Sequence, residues 1–429
     1  MNLPPPPLGD TGQAFCAVLI LLIPFAFAGL ALMNTGLCRS RSAAHSLVAA
    51  LSVVALAAVA FVVCGFAWQG AAGSPAYALM ISGKPWDWIG AERFFLRGLD
   101  FNGSTQALAA CFGMFSAALA ALIPLGAGAE RWRLGAALGS SAVLAGWTYP
   151  LFAHWVWSSG WLSQLGASYG LGNGFVDAGG AAAIQVVGGL SALSIAWILG
   201  PRRGKHSHDG MPAAIPGHNV VFVLFGCMLA LVGWCGLNSA AAVLFYGAAP
   251  GRILLAAVNT TLSAGSALLA AASVTRIRFG KPDASLSANG WTGGLAASSA
   301  CAAFQAPAEA IMVGLVAGAV VTFSVEWLEL HLDIDDPGGA ISVHAVAGLW
   351  GVFAVGLFGR FPPGQFLAQL VGIATLVGFV LPLTYGVNWA LDRVIAYRVT
   401  PDGERAGMDL HELGANAYPE LASHLEDFK

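Results

Sequence analysis

Long apolar runs alternate with short polar segments along almost the whole chain. A helix needs about 20 apolar residues to cross the hydrocarbon core of a bilayer, and eleven runs approach that length. The predicted spans are 13–37, 44–68, 105–127, 135–157, 180–200, 218–241, 252–274, 287–305, 307–330, 339–359 and 365–391. No polar gap is long enough for a soluble domain. The pattern therefore predicts an all-α integral membrane protein with eleven transmembrane helices.

The composition supports this class and argues against others. Hydrophobic residues make up 57% of the 429 residues and charged residues 10%, whereas a soluble domain carries about 25% charged residues. The formal net charge of −3 gives no general attraction to nucleic acid. The seven cysteines are not spaced as metal ligands. No metal, cofactor or catalytic set is predicted, so the chain is not expected to be an enzyme.

Cationic residues are distributed unevenly between alternate loops. Lys and Arg concentrate in the cytoplasmic loops of membrane proteins. With the N-terminus outside, 14 of them fall inside and 5 outside, which predicts an N-out, C-in topology. The outer N-tail is then 1–12, the longest cytoplasmic loop is 201–217, and the cytoplasmic tail is 393–429.

Two stretches of the chain, 177–190 and 336–349, are similar to each other. Seven of their fourteen positions are identical, at a constant offset of 159 residues. The first opens the fifth predicted span and the second opens the tenth, so the two helices run in opposite directions. This predicts an inverted repeat, with five helices in 13–200, five in 218–359 and one extra helix at 365–391. Inverted repeats place the substrate path at their interface.

Two polar side chains occupy equivalent positions in this repeat. Gln185 and His344 each follow an Asp by eight residues, which is about 12 Å along a helix. Both are therefore predicted near the middle of the membrane. A lone His in an apolar helix is commonly a bonded core residue, but an ionisable group at membrane depth is a functional candidate. We predict that Gln185 and His344 line a pore.

Asp177 and Trp157 are candidates for the outer end of this path. Asp177 stands at a helix start, where it can cap free backbone N–H groups or contact a substrate. Trp157 ends the fourth span, where it can belong to an interfacial aromatic belt or form a cation–π wall for an ammonium-like ion. The residues alone leave both alternatives open.

Several blocks of sequence carry a resemblance to a known family. They are Gly128-Ala-Glu130-Arg131, Tyr149-Pro150 through His154-Trp155-Val156-Trp157, Gly233-Trp234-Cys-Gly236-Leu-Asn238, Asp335-Asp336 through Gly348-Leu-Trp350-Gly351, and Ala417-Tyr418-Pro419. In these blocks the chain resembles the ammonium transporter (Amt/Mep/Rh) superfamily over nearly its whole length. The resemblance implies a homotrimer in the cell (inner) membrane with one pore per subunit. It also implies an outer aromatic vestibule, a phenylalanine gate and a dry pore with two facing histidines.

The sequence departs from that family where the chemistry lies. His344 matches the second pore histidine, but the first corresponds to Gln185. Glutamine cannot take up a proton near neutral pH as imidazole does. One gate phenylalanine corresponds to Leu237, and the other to Phe115 or Ser116, between which the alignment does not decide.

Two further departures concern the outer site and the tail. The hydroxyl residue expected beside the gate is Ala241, whereas Trp157 is retained, so weaker affinity for the ammonium ion is expected. The tail has Leu413 and Ala415 where the family has His and Glu. A regulatory nitrogen-signalling partner, which the resemblance implies, is therefore not expected to bind in the family's usual way.

Three functions remain as hypotheses. The first is conduction of ammonium or ammonia with an atypical proton relay at Gln185 and His344. The second is a channel or transporter for another small solute, such as a methylated amine, carbon dioxide or another neutral molecule. The third is a non-transporting ammonium sensor, although the short tail is not expected to hold a signalling domain.

Overall fold

The computed structural model describes residues 8–70, 77–101, 104–206 and 211–419. Parts of the predicted N-tail, of the loop at 201–217 and of the tail after 393 lie outside these residues. Within the described chain, nine helices are long and apolar enough to cross a membrane. Two further helices stand at the positions of the fourth and eighth predicted spans.

The long helices follow the predicted order. They are α1 (Asp10–Leu37), α2 (Ser40–Gln69), α3 (Thr105–Gly128), α4 (134–157), α5 (Ala181–Leu199), α6 (Val220–Tyr246), α7 (Gly251–Phe279), α8 (Ala284–Ser298), α9 (Pro307–Leu332), α10 (Ile341–Phe358) and α11 (Gln365–Asp392). Except at the end of α8, predicted and observed bounds differ by a few residues only, because a long apolar run identifies a buried helix well.

Helix α8 ends at Ser298, well before its predicted end at residue 305. The carbonyls just after it bond to the segment that enters α5. The Gly179 N–H donates to the Ser299 carbonyl oxygen (2.6 Å), and the Ala178 N–H donates to that of Ala300 (3.0 Å). These carbonyls can accept bonds from another segment because the helix has already ended. The apolar run continues past this point and gives no sign of the end.

An equivalent contact recurs between α3 and the segment that enters α10. There the Gly338 N–H donates to the Gly126 carbonyl oxygen at 3.0 Å. An asparagine stands beside each glycine: a Cβ on Gly338 would lie 2.9 Å from Oδ1 of Asn34, and one on Gly179 would overlap Oδ1 of Asn238. The two halves of the chain thus repeat the same contacts in opposite directions.

Helices α5 and α10 cross where both lack bulky side chains. A Cβ on Gly189 would overlap the backbone nitrogen of Ala345, and one on Gly348 would lie 2.8 Å from Cγ2 of Val186. Small residues let membrane helices approach closely. Each helix also begins with a π-helical turn, Ala181–Val186 in α5 and Ile341–Val346 in α10. The residues of the internal repeat therefore meet where α5 and α10 cross.

A β-hairpin fills part of the gap between α2 and α3, where the hydrophobic pattern predicts no strand. Strand β1 (Tyr77–Ile81) pairs antiparallel with β2 (Lys84–Ile89). The buried His154 ring ties β2 to the helices, with Nε2 3.0 Å from Oδ1 of Asp87 and Nδ1 2.7 Å from the Gln69 carbonyl oxygen. Tertiary anchoring stabilises the hairpin, since an isolated one is marginal in water.

Buried ion pairs join the helices near the α10 entry. The Arg202 guanidinium donates to Asp335 (2.8 Å) and Glu130 (2.6 Å), and Arg39 also pairs with Glu130. The fully buried Arg131 donates to the Asp335 carbonyl oxygen at 2.8 Å. We call these five residues the ion cluster.

The C-terminal tail docks beside this cluster on the start of α2. The Asp409 carboxylate accepts the backbone N–H groups of Ala44 (3.1 Å) and His45 (2.7 Å). Glu412 accepts the Leu134 N–H at 2.8 Å and lies 2.9 Å from Nε2 of His45. The tail thus supplies caps for the first turns of α2 and α4, where helical N–H groups lack intrahelical partners.

Candidate functional site

Gln185 and His344 are in direct contact at the crossing of α5 and α10. Nδ1 of His344 lies 2.7 Å from Oε1 of Gln185, and both side chains are buried. Because an amide oxygen can only accept, Nδ1 carries the hydrogen, and when the ring is neutral Nε2 is its acceptor nitrogen. The structure therefore brings together the two side chains that the internal repeat predicts to meet.

The aspartates of the two repeats act as helix caps. Oδ2 of Asp177 accepts the N–H groups of Ala182 (3.0 Å) and Ala183 (2.9 Å). Asp336 accepts the Ala340 N–H at Oδ1 (3.0 Å) and the Ile341 N–H at Oδ2 (2.7 Å). Both carboxylates thus fix the start of the helix that carries the central polar side chain.

The two caps differ in how their oxygens are used. Both oxygens of Asp336 accept hydrogen bonds, whereas Oδ1 of Asp177 is buried without a partner among the described residues. Nε2 of Gln185 is likewise buried and unpaired there. A buried polar group without a partner costs free energy, so these two atoms are available to a small polar ligand or to water.

Trp157 stands beside Asp177 in a closed group of aromatic rings. Its indole N–H donates to the Asp177 carbonyl oxygen at 2.8 Å. The indole stacks in parallel on Phe245, with centroids 4.7 Å apart and planes 1° apart. Phe112 contacts Trp157 (5.7 Å) and Phe245 (5.4 Å) edge to face. We call Phe112, Trp157 and Phe245 the ring cluster.

Helix α6 contributes to this end through its last two residues. Phe245 belongs to the ring cluster, and the Tyr246 hydroxyl accepts the Asp177 N–H at 3.0 Å. Phe112, Phe245 and Tyr246 were missed by sequence reasoning. Helical spacing is the signal that could have found the two phenylalanines: Phe112 precedes Ser116 by one turn, and Phe245 follows Leu237 by two.

Three of the four predicted gate residues lie on the same helix faces as the ring cluster, and Phe115 does not. Ser116 is fully buried, one turn from Phe112, whereas Phe115 packs against Phe27 of α1 at 5.9 Å. Leu237 and Ala241 are also fully buried, two turns and one turn from Phe245 along α6. Of the two residues that the alignment leaves open, Ser116 is the one on the Phe112 face.

No described group of three His, Cys, Asp or Glu side chains could hold a metal ion. The site instead combines a ring cluster, two helix caps and one amide–imidazole contact between inverted helix sets. Such an arrangement defines a multi-pass α-helical membrane protein of the inverted-repeat transporter class, with its candidate path at the repeat interface.

Comparison with known sequences narrows this class to one family. The model of the Ammonium Transporter Family matches residues 14–418, so the chain belongs to that family. It is similar to the ammonium transporter Amt2 of Archaeoglobus fulgidus, with 33% identity over 93% of this chain and 86% of the relative. It is also similar to an ammonium transporter of Bacillus subtilis, with 30% identity over 96% of this chain and 98% of the relative.

Solved structures show the same fold. A structure titled Sensor Amt Protein superposes with a TM-score of 0.84 at 26% identity, covering 94% of this chain and 98% of its own. Candida albicans Mep2 superposes with a TM-score of 0.79 at 23% identity, covering 92% of this chain and 87% of its own. The helical membrane architecture predicted from the apolar runs is thereby confirmed.

Proposed function

We propose that this protein transports ammonium or ammonia through a pore in each subunit of a homotrimer in the cell (inner) membrane. The contact between Gln185 and His344 is the observation that carries the proposal. It places one hydrogen-bonding side chain from each repeat at the crossing of α5 and α10, among apolar helices. Family membership supports the same substrate, because the relatives are named ammonium transporters.

His344 and Gln185 have different chemical roles in this contact. Nδ1–H of His344 is held by the Gln185 amide oxygen, so Nε2 is left as an acceptor for an N–H of ammonia. Gln185 can orient the ring and donate through its free amide hydrogens, but it cannot carry a proton near neutral pH. A proton relay between two imidazoles is therefore replaced by a single imidazole, with water needed for any further proton movement.

Two tests address this proposal in proteoliposomes. After an ammonium pulse, the purified protein should give a saturable current, or internal alkalinisation faster than empty liposomes show. His344→Ala should abolish or alter this activity, because it removes the only titratable member of the pair. His331→Ala is the matched control, since that His lies exposed at the end of α9. Full activity in His344→Ala would contradict the pore-lining role.

Replacing the amide tests the atypical relay separately. Gln185→His should raise the electrogenic current, because it supplies the second imidazole that a two-ring relay requires. A current that stays flat while ammonium transport persists would show that Gln185 is not the missing relay element.

Sensing is the second candidate function. It is favoured by the close superposition with the structure titled Sensor Amt Protein. A sensor would bind ammonium without current or alkalinisation, so equilibrium binding measured on the same preparation distinguishes it from a transporter. A methylammonium pulse tests the remaining alternative, which is transport of a different solute. Activity with methylammonium but not with ammonium would favour this alternative.

A further inference from the structure

Phe245 differs from the other two rings of the cluster in its surroundings. Phe112 is fully buried and Trp157 is 5% exposed, and the Trp157 indole is also fixed by its bond to the Asp177 carbonyl oxygen. Phe245 is only partly buried and is the second-last residue of α6, two residues before Gly247, which ends the helix in the left-handed conformation. Phe245 is therefore the ring of this cluster with the greatest freedom to move.

Phe245 also covers the surface on which a cation would be held. A cation–π contact needs the cation over the face of the aromatic ring. The parallel stack at 4.7 Å places the Phe245 ring over one face of Trp157, and Phe112 closes the side of both rings. An ion can reach that face of Trp157 only after Phe245 has left it.

The residues deeper in the candidate path carry no aromatic ring at the implied gate. Ser116 lies one turn below Phe112, about 6 Å along α3, and Leu237 lies two turns below Phe245, about 12 Å along α6. Both are fully buried, yet a hydroxymethyl group and an isobutyl group stand where the family resemblance implies two phenyl rings. The aromatic closure of this chain therefore lies at the ring cluster, one helical turn from Ser116 along α3 and two from Leu237 along α6.

We propose that Phe245 is the gating and size-selecting residue of this protein, closing the path against Trp157 and Phe112 in place of a ring pair at Ser116 and Leu237. The inference rests on the proposed function, because a gate has meaning only for a conducting path. Outward rotation of the Phe245 ring then admits the ion, and the space that the ring vacates limits the size of the amine that enters.

The first experiment compares ammonium and methylammonium transport in proteoliposomes. Phe245→Ala should raise the ratio of methylammonium to ammonium rate about fivefold to tenfold, because removing the ring widens the opening that disfavours the amine with the extra methyl group. Phe245→Leu should raise it less, and Phe245→Tyr should keep the original ratio. Phe225→Ala is the matched control, since Phe225 lies on the same helix with 53% of its surface exposed.

The second experiment needs no transport. In a background without the seven native cysteines, Ser116→Cys places a thiol below the ring cluster. A small cationic thiol reagent added from the Trp157 side should label it slowly when Phe245 is present and about tenfold faster after Phe245→Ala.

The possible outcomes distinguish a failure of the Phe245 gate from a failure of the proposed transport function. Wild-type protein that transports ammonium, with an unchanged ratio in Phe245→Ala, would overturn the gate and leave the transport function intact. Absence of ammonium transport in wild type would overturn the proposed function. In that case, equal labelling rates with and without Phe245 would overturn the closure as well, whereas faster labelling in Phe245→Ala would support it.

Discussion

The two copies of the internal repeat share a backbone arrangement but have opposite surroundings. At each end an Asp caps a helix that begins with a π-helical turn and carries a central polar side chain. Around Asp177 the neighbours are the aromatic side chains of Trp157 and Tyr246. Around Asp336 the neighbours include the charged groups of the ion cluster, beginning with the adjacent Asp335.

The electrostatics of the two ends differ accordingly. Burial alone would raise the pKa of the Asp335 carboxyl, but hydrogen bonds from Arg202 and the charge of Arg131 hold it well below its usual range. The Asp177 end instead keeps one carboxylate oxygen without a partner among the described residues. One end is thus fixed by buried ion pairs, while the other keeps an unpartnered carboxylate oxygen beside aromatic side chains.

The largest effect is expected from breaking the charged end. Arg202→Ala leaves Glu130 and Asp335 buried without their main cationic partner, and removing one member of a buried ion pair costs about 3–5 kcal/mol. The thermal unfolding midpoint in detergent should fall strongly. Arg203→Ala is the control, because Arg203 is exposed and bonds Glu404 through its backbone N–H alone. Equal midpoints for the two variants would contradict a structural role for the cluster.

A smaller effect is expected where the two repeats cross. Gly189→Ala would press a methyl group onto the Ala345 backbone, and overpacking of this kind costs about 1–3 kcal/mol. Gly265→Ala should not destabilise, since a Cβ there meets open space. Thermal unfolding again provides the measurement. A Gly189→Ala variant as stable as Gly265→Ala would show that the helices can separate without cost.

The next largest effect on stability is expected to differ between the two aspartate caps. Asp336→Asn removes one of two accepting oxygens and should cost about 1 kcal/mol. Asp177→Asn keeps the one oxygen that accepts, so it should be close to neutral in stability. The comparison is made on unfolding midpoints under identical conditions. A larger loss in Asp177→Asn than in Asp336→Asn would mean that the unpaired oxygen of Asp177 makes a stabilising contact with water or an ion.

The smallest effect concerns pH and the docked tail. Burial acts to raise the pKa of Glu412, but the hydrogen bond from His45, the Leu134 N–H and the nearby Arg133 charge lower it below its ordinary value. A lowered carboxyl pKa stabilises docking above the ordinary Glu pKa, and this stabilisation is lost as pH falls through the lowered value. The contribution is about 0.5–1 kcal/mol.

Limited proteolysis of the tail measures this effect. Cleavage of the wild-type tail should become faster only as the pH falls below the ordinary pKa of a Glu carboxyl. Glu412→Gln should be cleaved faster than wild type at neutral pH and should show a weaker dependence on pH. Identical profiles for the two proteins would remove Glu412 from the docking contacts.

Much of the helical architecture could be predicted because the signal is physical and local. A bilayer forces long apolar runs into helices, since backbone groups in lipid must bond internally. The repeat at 177–190 and 336–349 likewise identified Gln185 and His344 as partners, because equal spacing from two caps gives equal depth in opposite directions. The number of spans and the N-out, C-in orientation stay predictions.

The parts that sequence reasoning missed depend on contacts between distant segments. The early end of α8 leaves the carbonyls just after it free to accept bonds from the N–H groups of residues 178 and 179. In the sequence, Phe245 is one apolar residue among many at the end of a helix, and only its stack on Trp157 distinguishes it from the others. Likewise, nothing local separates Phe115 from Ser116, but the Phe27 contact turns one of them away from the Phe112 face.

The sequence by itself determined the membrane class, the inverted repeat and the amide–imidazole pair, because hydrophobicity, periodicity and spacing are properties of a linear chain. The tertiary structure alone decided which ring stacks on Trp157, which Asp oxygen lacks a partner among the described residues and where the tail docks. Those features depend on side chains that lie far apart in the chain and meet only after the helices have packed, so no local pattern encodes them.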